Sequence, residues 1–160
     1  MTDLNEIKNM FYLGNYQGVI NEGGNVESDS EEVKIERDVL IYRSYVAQGN
    51  TDIVIQEIKE DWPVDLQAVS ILAKYFSADT NLREEALKKV EKGLKGNMSE
   101  NPTFLLISSI IYDNQQNYDE ALKCAHQVNS LEGWVSFKQV LWLIFLILLG
   151  HKNKNIKAKQ

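Results

Sequence analysis

The sequence predicts an all-α fold: tetratricopeptide-like helical hairpin repeats forming a short right-handed α-solenoid. Three observations predict it. Four asparagines, Asn15, Asn50, Asn81 and Asn117, recur at intervals of 35, 31 and 36 residues, around the roughly 34-residue period of a helix–turn–helix repeat. Apolar residues fall at three- and four-residue steps with no sustained two-residue alternation, the pattern of helix faces and not of strands. The 160 residues include only two prolines, Pro63 and Pro102, so long stretches are free to be helical.

The surroundings of the four asparagines agree. Five residues before each lie Met10, Tyr45, Phe76 and Tyr112. Four residues after lie Val19, Val54, Glu85 beside Ala86, and Ala121. A large side chain ending one helix and a small one inside the next suit two closely packed antiparallel helices. The unit around Asn81 fits least well and the one around Asn117 best. Each asparagine is placed to cap the helix that follows it. Asn81 with Glu84, Asn117 with Glu120 and Ser28 with Glu31 have capping-box spacing, the last opening a helix near residue 31. Asp65 is placed to cap a helix after Trp62-Pro63, and Asn101-Pro102 puts a cap before a first-turn proline. The expected apolar faces are Ile35, Val39, Tyr42 and Val46; Leu82, Ala86, Val90 and Leu94; and Tyr118, Ala121, Leu122, Ala125 and Val128.

Three regions are expected: a repeat array over 1–133, an apolar helix over 134–150, and a basic disordered tail over 151–160. Val140 to Leu149 is an unbroken apolar run of ten residues. A bilayer core needs roughly 20, so a core helix is the first reading and a membrane anchor an alternative. If unpacked, the run is expected to form an aggregation-prone patch.

Composition narrows the function. Apolar content of 44% and charged content of 25% exclude global disorder. A net charge of −6 argues against a nucleic-acid partner. The start Met1-Thr2-Asp3-Leu4 is not a secretory signal, and Cys124, the sole cysteine, can form no internal disulfide. Both point to a reducing, cytoplasmic setting. Catalytic, cofactor and metal sites are all expected to be absent. Gly23-Gly24 and Gly93 to Gly96 build neither phosphate loop nor dinucleotide fingerprint. His126 and His151 lack ligand-spaced neighbours. Cys124 and His126, two apart on a helix, point away from each other.

Binding to protein remains. Lining a concave inner face, the first helix of each pair would present Glu36, Val39, Arg43 and Val46; Gln67, Ser70, Lys74 and Ser77; and Thr103, Leu106, Ile110 and Asp113. This mixture of apolar side chains with few charges suits a folded or helical protein segment better than a phosphate or small acid.

A family resemblance adds to this reading. Phe11-Tyr12-Leu13-Gly14-Asn15-Tyr16-Gln17, Glu36-Arg37-Asp38-Val39 and Tyr42-Arg43-Ser44-Tyr45-Val46-Ala47-Gln48 resemble the coatomer epsilon subunit family. So do Val54 to Ile58, Leu66 to Val69, Thr103 to Leu106, Asn117-Tyr118-Asp119-Glu120-Ala121-Leu122 and His126, in order and spacing across about residues 3 to 133. The resemblance implies tetratricopeptide-like helices, no catalysis and no cofactor. It implies partnership with the alpha subunit of coatomer in the COPI coat, peripheral on Golgi membranes and vesicles, in Golgi-to-ER and intra-Golgi transport. The likeness is expected to fade at Gly133-Trp134, as in a truncated form. The alternative functions are a tetratricopeptide adaptor or co-chaperone binding a peptide, and a membrane-anchored protein using the apolar tail.

Overall fold

A computed structural model of the chain describes residues 3–128. The described residues form eight helices and no strand. These are α1 (Leu4–Tyr12), α2 (Tyr16–Gly23), α3 (Glu31–Ala47), α4 (Thr51–Glu57), α5 (Val64–Phe76), α6 (Thr80–Leu94), α7 (Pro102–Asn114) and α8 (Tyr118–Gln127). The expected apolar helix over 134–150 and basic tail over 151–160 lie outside the described residues. The chain divides into two compact units, with the boundary after Phe104 inside α7.

In the first unit α1 packs on α2, α3 on α4, and α5 on α6. The first helices also stack on one another, α3 touching both α1 and α5. At one end Ile7, Val19, Val26 and Leu40 form a buried cluster, with Leu4, Met10, Phe11 and Ile41 packed against it. Further along, Val54, Leu66, Val69, Ile71, Leu72, Ala86, Val90 and Phe104 are buried. Single hairpins of this size cannot bury their apolar faces alone; stacking supplies the missing cover. The close approach of α6 to the start of α7 depends on Gly93, where any Cβ would overlap the Phe104 ring. In the second unit Ile107, Ile111, Ala121, Cys124, Ala125 and Val128 are buried.

Three of the four hairpin turns share one construction. The amide of Gly14 donates to the Phe11 carbonyl at 3.0 Å and that of Asn15 to the Met10 carbonyl at 2.9 Å. Gly49 and Asn50 repeat the pair toward Val46 and Tyr45 at 3.0 and 2.9 Å. Gln116 and Asn117 repeat it toward Asp113 and Tyr112, both at 2.9 Å. This is the Schellman arrangement, which needs a left-handed residue just past the helix end. Gly14, Gly49 and Gln116 hold that place, at φ 78°, 82° and 62°. The asparagine then ends one helix with its amide and heads the next. Asn15 Oδ1 accepts from the Gly18 amide at 3.1 Å and Asn117 Oδ1 from the Glu120 amide at 3.5 Å. Asn50 holds the cap position of α4 without a side-chain hydrogen bond.

The turn between α5 and α6 is built differently, and three expected caps are corrected. Asn81 does not cap α6; Asp79 does, its carboxylate accepting from the Asn81 amide at 2.8 Å. The end of α5 has no left-handed residue, and Arg83 satisfies its carbonyls instead. Arg83 Nε donates to the Tyr75 carbonyl at 3.0 Å and Nη2 to that of Ser77 at 3.4 Å. Ser28 does not cap α3, because Ser30 holds that place and Ser28 Oγ accepts from the Ser30 amide at 3.1 Å. Asp65 lies inside α5, which Pro63 opens. Its carboxylate instead receives Thr103 Oγ1 at 2.5 Å and Asn101 Nδ2 at 3.1 Å, tying α5 to the start of α7. Asn101 does cap α7, accepting from the Phe104 amide at 2.8 Å.

A left-handed backbone costs a residue with a Cβ roughly 1–2 kcal/mol relative to glycine. Gln116→Gly is therefore expected to raise stability by about 0.5–1 kcal/mol, and Gly49→Ala to lower it by about 1 kcal/mol. Urea denaturation of both variants checks the pair. Equal and unchanged midpoints would show that the turns tolerate either residue.

Candidate functional site

An opening with a volume of about 1230 Å³ lies between α4, α5 and α6. Gln67, Ser70 and Lys74 of α5 form one wall, so three of the twelve sequence-derived candidates come together here. Ile71 lies buried beneath them, and Ile55 of α4, Leu82 of α6 and Met98 after α6 add half-buried apolar surface. Lys59 lies just past α4, and Lys88, Lys89, Lys92 and Lys95 follow one another along and just beyond α6.

A charge cluster fixes the relation of α5 to α6. Lys74 Nζ lies 2.9 Å from Glu85 Oε1, and Lys89 Nζ lies 3.2 Å from the same oxygen and 3.3 Å from Glu60 Oε1. The hydrogen bonds from Lys74 and then Lys89 hold the Glu85 carboxyl below its ordinary value of 4.5. Gln67 is also engaged locally, its Nε2 donating to the carbonyls of Glu60 at 2.9 Å and Trp62 at 2.7 Å.

The other candidates are placed as follows. On α3, Val39 is buried and belongs to the core rather than a groove. Glu36 is exposed and ion-paired with Lys8 at 2.7 Å. The Arg43 guanidinium lies 4.8 Å from the Phe11 ring centre, and Val46 is half-buried. Ser77 is buried at the end of α5, where its Oγ accepts from the Asp79 amide at 3.3 Å. On α7, Thr103 is bound to Asp65, Leu106 is buried and Ile110 is half-buried. Burial raises the Asp113 carboxyl, and its Oδ1 is buried without a hydrogen bond. Burial first, then the Glu120 carboxylate, pushes the Cys124 thiol up to about 11. At neutral pH that thiol is protonated and a poor nucleophile. Among the described residues no three or more His, Cys, Asp or Glu side chains cluster as a metal site would require.

Counting along first helices found one wall of the opening and missed the wall from α4 and α6. A signal for it was present: Lys88, Lys92 and Lys95 are spaced four and three apart, which puts them in one row on a helix.

Paired helices around an open, lysine-rimmed surface define a helical-hairpin protein. The comparisons give the family. The coatomer epsilon subunit family model matches residues 1–146. Coatomer subunit epsilon-1 of Oryza sativa subsp. japonica is 39% identical over 127 residues, covering 79% of this chain and 43% of that protein. Coatomer subunit epsilon-2 of Arabidopsis thaliana is 37% identical with the same coverage. Coatomer subunit epsilon of Dictyostelium discoideum is 35% identical over 157 residues, 92% of this chain and 51% of that protein. The chain belongs to the coatomer epsilon subunit family, and it spans about half the length of these curated relatives. The family match continues past Gly133, where the resemblance was expected to fade.

Glu85 generates a pH prediction. Its folded-state pKa is depressed, so its stabilising contribution is present above the unfolded value and is lost as pH falls through the folded one. The side chain is 44% exposed, so solvent screening holds that contribution to a few tenths of a kcal/mol. Glu85→Gln is expected to lower stability at pH 7 by about that amount and to flatten the acid limb between about pH 5 and 3. Urea midpoints measured across that range test it; superimposable curves would remove the cluster from the account.

Proposed function

We propose that this chain is a structural, non-enzymatic part of the COPI vesicle coat that holds the alpha subunit of coatomer. Its work is in Golgi-to-ER and intra-Golgi transport, in the cytoplasm and peripherally on Golgi membranes and COPI vesicles. The observation that carries the proposal is the family match over residues 1–146 on a fold of stacked hairpins. The mechanism is mechanical: a preformed surface, tetratricopeptide-like in its stacking, holds a partner at little ordering cost, and burial of apolar area supplies the affinity. Of the first-helix candidates, Glu36, Arg43, Val46, Gln67, Ser70, Lys74, Thr103, Ile110 and Asp113 retain exposed surface for such a contact. Val39, Ser77 and Leu106 serve the fold instead.

The membrane-anchored alternative rests on the apolar tail, which lies outside the described residues; none of the described helices is long and apolar enough to cross a bilayer. The adaptor alternative needs a basic, amide-rich clamp on the first helices, and Val39 and Leu106 are buried where it would need such groups.

The test is capture of the C-terminal region of the coatomer alpha subunit by the full chain, beside a version extended to the length of its relatives. Both are expected to bind, the extended one more tightly. Val46→Arg and Ser70→Arg are each expected to weaken binding by on the order of tenfold, with helical circular dichroism unchanged. An alpha-subunit region that neither version retains would overturn the proposal.

A further inference from the structure

We infer that the opening between α4, α5 and α6 docks an acidic amphipathic helix of a partner protein, its carboxylates on the lysine rim and its apolar face on the floor. The inference stands on this groove alone and would hold outside any coat.

Charge is the first argument. The chain carries 23 acidic residues against 17 basic ones, yet the groove is lined by six lysines and two glutamates. Lys74 and Lys89 are held by Glu85 and Glu60. Lys59, Lys88, Lys92 and Lys95 are exposed and make no ion pair among the described residues. Glu91, the second lining glutamate, is exposed on α6 and pairs with none of them. Lys88, Lys92 and Lys95 follow one row of the helix, and like charges at this spacing destabilise it by a few tenths of a kcal/mol per pair. A bound anionic surface reverses the sign of that interaction.

The floor decides which anion. Ile71 lies beneath the opening, while Ile55, Leu82 and Met98 keep part of their apolar surface within reach. Phosphate has no use for such a floor, and the lining holds no arginine, the side chain that grips phosphate with two hydrogen bonds. An anionic bilayer is a poorer match too: the lining includes no Trp, Tyr or Phe to enter the interface. The volume of about 1230 Å³ exceeds the 300–1,000 Å³ of common small-molecule sites. A helix about 10 Å across, with leucines on one side and glutamates flanking them, uses floor and rim together. Met98 is the adaptable contact, since its unbranched thioether refits to different apolar surfaces.

The probe is a fluorescent peptide of about 15 residues with Leu and Glu at helical spacing, titrated with the full chain. Binding is expected to weaken several-fold between about 50 and 300 mM salt, because the rim is exposed to screening. A peptide with Gln in place of every Glu is expected to bind at least tenfold more weakly. Charge reversal by Lys88→Glu with Lys92→Glu is expected to weaken the acidic peptide by on the order of tenfold. Both positions are exposed, so helical circular dichroism should not change. Met98→Asp attacks the floor and is expected to weaken both peptides, independently of the rim variants. Equal binding of the Gln peptide, or full binding by the charge-reversed chain, would overturn the inference. So would displacement of the peptide by inorganic phosphate or by vesicles of phosphatidylserine and phosphatidylcholine.

Discussion

The chain must reverse direction within three residues at the end of each first helix, and the rest of the structure depends on how it does so. A helix end leaves carbonyls without partners, and the next helix start leaves amides without partners. At residues 13–15 and 115–117 one compact device serves both, and at 48–50 the same turn serves the carbonyls. A residue with positive φ swings the chain round, and the following asparagine amide returns to a carbonyl five residues back. The same asparagine then heads the second helix, so no residue is spent on a loop. Direct contact between the two helices of a hairpin follows from that economy, and with it the shared burial that stabilises the stack.

That device explains what was legible in the sequence. The asparagine intervals read correctly as hairpin turns because Asn15, Asn50 and Asn117 each serve two helices. The bulky residue five positions earlier marked the carbonyl that receives the asparagine amide. The fit at Asn81 was poorest for a physical reason: that turn rests on Asp79 and on the Arg83 side chain. Two residues able to cap, two positions apart, cannot be ranked from sequence when neither is preceded by a diagnostic glycine. The cap expected at Asp65 failed for another reason: α5 already begins after Pro63, and the carboxylate has a long-range partner in Thr103. A hydrogen bond across 38 residues of sequence leaves no local trace.

The candidate surface was less legible, because facing is a tertiary property. On α7, residues 104 to 109 are all buried, as are Ile111 and Tyr112. A helix covered nearly all round carries no stripe that says which side is open, so the burial of Leu106 could not be read from it. On α3 the buried set is Val39, Leu40 and Ser44, offset from the expected Ile35, Val39, Tyr42 and Val46. Tyr42 instead reaches outward, its hydroxyl donating to Glu57 Oε2 at 3.0 Å and its ring lying 6.3 Å from that of Trp62. Stacking through both α1 and α5 rotates the requirement for apolar surface around α3, which a single periodic face does not express.

The groove shows how one rigid packing serves two purposes. Lys74 and Lys89 converge on Glu85, Glu60 completes the charge balance at Lys89, and this neutralised cluster joins α5 to α6 without help from outside. The remaining lysines of the rim are exposed and make no ion pair among the described residues. Lys88 and Lys92 sit in the exposed row that the buried Ala86, Val90 and Gly93 leave on the other side of α6, with Lys95 just beyond its end and Lys59 just past α4. Gly93 sets how closely α6 approaches the Phe104 ring, since any Cβ there would overlap it and force a shift in the packing. Helix α6 is therefore positioned from its buried side while its charged side stays open. A surface held this way loses little conformational freedom when something binds, which is the physical advantage of a stacked-hairpin scaffold over a flexible loop.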